Sequence, residues 1–250
     1  MSPPPLIKIC GITRLEDAER SAELGAWALG MIFYPGSPRR CPPAEAERIA
    51  AALRRRVELC GVFVNASLDE VARLSERIGL TMLQLHGDEG PAFCREASRR
   101  TGARVIKAAA VSAQGELRAL KRFHTDFHLL DSRVRGLRGG TGETFDWSLV
   151  AHRRSAIPLI VSGGLTPENV AEAVVRTRPF AVDTASGTEQ SPGRKDPDKL
   201  ERFFGAVAGT GKRADAGSGD GADDTTGDGT DDTTADRADA ESPTQAHAGS

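Results

Sequence analysis

The chain has 250 residues and a formal net charge of −2, yet that balance hides two unlike parts. Residues 209–250 contain no Leu, Ile, Val, Met, Phe, Trp or Tyr and carry ten acidic against three basic side chains; residues 1–208 keep thirty basic and twenty-five acidic ones, a net of +5. An excess of that size suits a small anionic ligand and argues against nucleic acid, and the lack of any apolar run of about 18 residues argues against a membrane helix.

A segment without large apolar side chains cannot offset the entropy of being ordered. Residues 209–250 are therefore expected to form a disordered Asp/Gly/Thr-rich acidic tail behind a single folded domain, residues 1–208. The four cysteines, Cys10, Cys41, Cys60 and Cys94, show neither a CxxC pair nor zinc-finger spacing, so neither a metal site nor a disulfide framework is expected. Met1–Pro5 has no basic stretch followed by an apolar one, so no signal peptide is expected and a cytoplasmic protein is the simplest reading.

Short apolar runs alternate with longer amphipathic segments. A strand is expected at Leu6–Cys10, then a helix at Leu15–Leu24 capped by Thr13 and closed by Gly25. Further strands are expected at Ala28–Phe33, Glu58–Val64, Thr81–Leu85, Arg104–Ala109, Asp126–Asp131, Pro158–Ser162 and Phe180–Asp183. Most are continuously apolar, the pattern of parallel strands covered on both faces. The intervening helices are expected at Ala44–Leu53, Leu68–Ile78, Glu89–Arg100, Ala113–Arg122, Asp146–Arg154, Pro167–Arg176 with Thr166 as cap, and Pro197–Val207. Eight strands alternating with helices in some 200 residues predict an α/β fold, a closed (βα)8 TIM barrel. A doubly wound open sheet is the alternative, but no GxGxxG follows the first strand.

In such a barrel the chemistry lies at the carboxyl ends of the strands. Lys8 and Cys10 share a face of the first strand, because side chains two apart point the same way. An ammonium beside the thiol favours the thiolate, although a free Cys also serves as a small buried hydrophobe. Asp131 ends the sixth strand, placed to act as an acid or to cap the next loop. The loop Arg138-Gly139-Gly140-Thr141-Gly142 reads either as a mobile lid or as a plain turn. Small-residue turns after the last two strands, Gly163-Gly164 and Ser186-Gly187, fit a phosphate held by backbone amides, or simply tight connections. Gln84 and His86 share a face at the end of the fourth strand. Arg39, in the loop after the second, suits a planar carboxylate.

Taken together, these pieces resemble phosphoribosylanthranilate isomerase of tryptophan biosynthesis. They are Lys8-Ile9-Cys10-Gly11-Ile12-Thr13, Phe33-Tyr34-Pro35, Ser37-Pro38-Arg39, Gly61-Val62-Phe63-Val64-Asn65, Gln84-Leu85-His86-Gly87, Leu130-Asp131, Gly139-Gly140-Thr141-Gly142, Thr144-Phe145-Asp146-Trp147, Ser162-Gly163-Gly164-Leu165, and Asp183 followed by Ser186-Gly187. The resemblance spans residues 7 to about 204. It implies a cofactor-independent Amadori rearrangement of a phosphoribosyl-amine in a monomeric or homodimeric barrel. Asp131 would be the general acid and Cys10 the general base. Arg39 would face the anthranilate carboxylate, Gly163, Gly164, Ser186 and Gly187 would hold the phosphate, and Gln84, His86 and Asp183 would line the mouth. Ala185, Trp27, Arg40 and Cys41 depart from the family pattern. Three other readings stand beside this one: a Schiff-base aldolase using Lys8 or Lys107, a non-catalytic barrel that binds a sugar phosphate, and a broader-specificity isomerase that also takes a histidine-pathway substrate, against which the single-domain length and the Cys base argue.

Overall fold

The computed structural model describes residues 3–110, 117, 119–131, 150, 153 and 155–216. Eight parallel strands close into a barrel in sequential order: β1 (Leu6–Cys10), β2 (Ala28–Ile32), β3 (Glu58–Phe63), β4 (Met82–Leu85), β5 (Arg104–Ala110), β6 (Phe127–Asp131), β7 (Leu159–Ser162) and β8 (Ala181–Thr184). β1 pairs with β8 to complete the ring, with Lys8 directly opposite Asp183. The helices are α1 (Leu15–Glu23), α2 (Pro43–Leu53), α3 (Leu68–Ile78), α4 (Pro91–Thr101), α5 (Val170–Thr177) and α6 (Pro197–Ala216). A small antiparallel hairpin, β9 (Glu189–Ser191) with β10 (Arg194–Lys195), lies between β8 and α6.

Alternate residues of each strand face opposite ways, and that parity builds two cores. The outward set, including Ile7, Ile9, Leu29, Met31, Leu59 and Leu83, packs beneath the helices. The inward set is smaller: Cys10, Ala28, Cys60, Val62, Met82, Ile106, Ala108, Leu129, Ile160 and Ala181 fill the lumen. At the amino-terminal end of the barrel Trp27 packs edge-on to Phe127 and Phe180, each with ring centroids 5.5 Å apart. A bulky residue before β2 is thus accommodated as part of an aromatic plug.

Helix boundaries follow local chemistry. Ser67 caps α3 by accepting from the Glu70 amide, and Gly79 ends it in the left-handed conformation at φ 75°. Two expected caps are corrected. Thr13 does not cap α1, because its hydroxyl donates to the Gly193 carbonyl and Arg14 occupies the cap position. The helix expected from Pro167 starts at Val170, because Asn169 turns its side chain back to the Thr166 amide and the Gly164 carbonyl. The expected boundary at residue 208 falls inside α6, which continues through Ala216. A helix already nucleated gains a backbone hydrogen bond with each added residue and needs no large apolar side chain to propagate. Of the helices expected at Ala113–Arg122 and Asp146–Arg154, the described residues Leu117, Ala119, Leu120 and Val150 are helical. The glycine loop 138–142, the segment 144–147 and the chain from Gly217 onward lie outside the described residues.

His128 is buried, with its Nε2 donating to the Phe123 carbonyl at 2.9 Å and its Nδ1 accepting from Arg153 at 3.0 Å. Burial holds its pKa below the ordinary histidine value, and the same cause lowers that of His86. The unfolded chain therefore binds these protons more readily, so their contribution is complete above about pH 6.5 and is lost as pH falls below it. Thermal melts are expected to show a lower Tm at pH 5.5 than at pH 7.5, with a smaller difference in His128→Asn. An undiminished difference would mean that His128 is not a source of the acid lability.

Candidate active site

Strand parity decides which side chains meet. Lys8, Cys10, Gln84, Asp131, Ser162 and Asp183 sit on the inward face at or near the carboxyl ends of β1, β4, β6, β7 and β8. Lys8 is fully buried, and its ammonium contacts Asp183 Oδ1 at 2.7 Å. The Ser162 hydroxyl donates to the other oxygen, Oδ2, at 2.9 Å. Asp183 is thus saturated from two neighbouring strands. Burial opposes the Lys8 charge, but Asp183 and the nearby thiols outweigh it and raise the lysine pKa above its ordinary value. A permanently protonated Lys8 is a poor Schiff-base nucleophile. Lys107 points out of the lumen, pairing with Glu89 at 3.0 Å and the Gly87 carbonyl at 2.6 Å. The aldolase reading loses both of its lysines.

Cys10 has room because Gly30 stands opposite it in register. A Cβ at Gly30 would come within 2.8 Å of the thiol sulfur and 3.0 Å of the Lys8 Nζ. Lys8 acts on the thiol in the expected direction but does not set the net shift. Burial, the largest influence, raises the Cys10 pKa, and the lysine charges that pull it down do not offset that rise. The resting group is a thiol, with cations positioned to stabilise its thiolate.

His86 follows β4, and its Nε2 lies 3.6 Å from Asp131 Oδ2. Gln84 Nε2 sits 3.2 Å from His86 Nδ1. With the amide as donor, Nδ1 accepts, and the imidazole proton sits on Nε2, facing Asp131. The Gln84 side-chain oxygen is buried with no partner among the described residues.

Gly163 and Gly164 both have positive φ, 99° and 66°, which turns the chain sharply after β7. After β8 a single 3-10 turn, Ser186–Thr188, abuts that loop, and Thr184 Oγ1 donates to the Leu165 carbonyl at 2.8 Å. The two turns are therefore stitched together. Ala185 leaves this backbone arrangement in place.

Arg39 lies over Gly11, where a Cβ would be 2.9 Å from its Cδ. Its Nε is 2.9 Å from both oxygens of Glu189, and its Nη2 is 2.8 Å from Oε2. One edge of the guanidinium is thus occupied by the protein, leaving the Nη1 side for a ligand. Glu189 and its second partner Lys195 were not expected from sequence. They sit in a short hairpin with no hydrophobic period to mark them. Among the described residues no cluster of three or more His, Cys, Asp or Glu side chains could hold a metal ion.

A closed barrel that gathers ionisable groups at the carboxyl ends of its strands is an enzyme barrel by class. The family model for N-(5'-phosphoribosyl)anthranilate (PRA) isomerase matches residues 7–206. N-(5'-phosphoribosyl)anthranilate isomerase of Citrifermentans bemidjiense is 46% identical over 198 residues, covering 79% of this chain and 94% of that protein. The crystal structure of phosphoribosyl anthranilate isomerase from Thermotoga maritima aligns with a TM-score of 0.74 at 43% identity, covering 82% of this chain and 99% of that one. Another phosphoribosyl anthranilate isomerase structure, in complex with reduced 1-(o-carboxyphenylamino)-1-deoxyribulose 5-phosphate, aligns at 0.71 with 41% identity, covering 82% and 99% of the two chains. The chain belongs to the N-(5'-phosphoribosyl)anthranilate isomerase family.

Proposed function

We propose that the chain converts N-(5-phospho-β-D-ribosyl)anthranilate to 1-(2-carboxyphenylamino)-1-deoxy-D-ribulose 5-phosphate by an Amadori rearrangement, a step of tryptophan biosynthesis. The observation that carries this reading is the placing of Cys10 and Asp131 on the inward face of one barrel mouth. They end β1 and β6, which are three strands apart around the ring.

The Asp131 carboxyl group donates its proton to the ribose ring oxygen as the bond from that oxygen to C1 breaks, and the anthranilate nitrogen takes up the positive charge as an iminium. The neighbouring imidazole N–H of His86 faces the carboxylate left behind. Cys10, its thiol having given up its proton to solvent, then removes the proton from C2 as the thiolate, and the electron pair moves to neutralise the iminium, giving an enolamine. Proton transfer from the enol hydroxyl to C1, through solvent or a side chain, yields the ketone. The Lys8 and Lys195 charges favour the thiolate against the cost of its burial. Arg39 receives the substrate carboxylate on its open side. The Gly163-Gly164 and Ser186-Gly187 amides hold the phosphate, and Gln84 lines the mouth beside His86. Asp183 acts through Lys8, whose ammonium it anchors.

The test is a fluorescence assay that follows loss of phosphoribosylanthranilate on the full chain. Turnover above the spontaneous rate is expected. If the ligand binds without turnover, the non-catalytic reading takes its place.

A further inference from the structure

A buried ionic cluster stands behind the mouth. Lys195 on β10 is 2% exposed. Its ammonium donates to the Cys10 carbonyl at 2.7 Å and the Ala185 carbonyl at 2.9 Å, and lies 3.3 Å from Glu189 Oε1. Its backbone amide donates to Asp17 Oδ2 at 3.0 Å. Glu189, 6% exposed, receives the Arg39 fork and the Gly193 amide. One lysine thus grips the last residue of β1 and the turn after β8, while its partner grips the arginine over Gly11.

Stability alone is a weak account of such a cluster. A buried ion pair is often replaceable by apolar residues of similar volume at no loss of stability. An apolar pair would not fix two carbonyls at the strand ends, orient a guanidinium, or place charge beside a thiol. The charge balance points the same way. The charged and titratable groups facing Cys10 are Lys8 from its own strand, Asp183 from β8, Cys60 from β3 and Lys195 from β10. Asp183 neutralises Lys8. Lys195 and Arg39 share the carboxylate of Glu189, so that carboxylate only partly neutralises the ammonium next to the β1 end.

We propose that Lys195 and Glu189 are a pair of positioning residues for the reaction, Lys195 fixing the Cys10 backbone and setting a cation at the end of β1, Glu189 aiming Arg39 at the substrate carboxylate. This rests on Cys10 being the base, as proposed above. The two members then have separable effects. Removing the Lys195 charge makes the thiolate harder to form, so the acid limb of the rate profile moves to higher pH. Removing the Glu189 charge loosens the carboxylate clamp and is felt in substrate binding.

The experiment compares kcat and KM from pH 6 to 9.5 for wild type, Lys195→Met, Lys195→Arg and Glu189→Gln, with a thermal melt of each. Lys195→Met is expected to lose about tenfold or more in kcat at pH 7, with the acid limb of kcat/KM displaced upward by about one pH unit. Lys195→Arg restores the limb. Glu189→Gln is expected to raise KM about tenfold while kcat stays within about threefold. Folded variants that lower kcat and KM together on an unmoved pH profile, or that match wild type, overturn the pair. Should Lys195→Met fail to fold, the KM-against-kcat split in Glu189→Gln decides alone. A wild type without turnover removes the functional reading itself, whereas an active wild type with unaffected variants sinks only the pair.

Discussion

Cys10→Ser and Asp131→Asn are each expected to lower kcat at least about a hundredfold, since general acid and base groups contribute about 10²–10⁴ in rate. Both substitutions nearly preserve volume, so the barrel should still fold. The hydroxyl that replaces the thiol in the first variant is far less readily ionised and cannot serve as a base near neutral pH. The amide in the second has no proton to give the ring oxygen. The pH dependence adds a sign. Burial raises the Cys10 pKa, so the free enzyme holds more thiolate as pH climbs into the alkaline range. The wild-type kcat/KM should rise with pH on that limb, and Cys10→Ser should lack it. A Cys10→Ser enzyme with near-full rate would leave fold and substrate standing and move the base to another residue.

The barrel is legible in the sequence because its strands are read twice over. Runs such as Leu159-Ile160-Val161 are apolar on both faces, and Gly or Pro marks most of their ends. All eight barrel strands begin and end within one residue of the expected positions. Parity then delivers Lys8, Cys10, Gln84, Asp131 and Asp183 to one face without any knowledge of side-chain packing. What parity does not give is the environment of each group. The direction of the Cys10 shift is hidden in the sequence, because a neighbouring lysine is visible in the chain and burial in a lumen of Cys60, Met82 and Ile106 is not. Glu189 is 150 residues from Arg39 and Lys195 is 185 from Cys10. Contacts of that span, made from a three-residue strand and a two-residue one, leave no local periodicity. Thr13 misleads for a related reason: a hydroxyl at a helix start looks like a cap until a distant carbonyl, here that of Gly193, takes its hydrogen bond.

Gly187→Ala is the sharper test of where the phosphate sits. A Cβ at this position would lie 1.8 Å from the Leu165 carbonyl oxygen and 2.8 Å from its carbon. Those are backbone atoms, so no rotamer change relieves the overlap, and the turns after β7 and β8 must move apart. If their amides hold the phosphate, at least one charge-assisted hydrogen bond, about 1.5–3 kcal/mol, is lost. At about 1.4 kcal/mol per tenfold change, KM should rise roughly ten- to a hundredfold, and inhibition by inorganic phosphate should weaken in step. The chemistry at Cys10 and Asp131 is built on other strands, so kcat should fall less than kcat/KM. Gly205→Ala is the matched control. It lies exposed in α6 with nothing within 4 Å of the added Cβ. Replacing a helix glycine by alanine there should stabilise by roughly 0.5–1 kcal/mol without touching KM. A Gly187→Ala enzyme that is folded and keeps wild-type KM and phosphate inhibition would place the phosphate elsewhere on the rim. That outcome would also leave the Leu165–Gly187 contact with a purely architectural role, sealing two turns against each other.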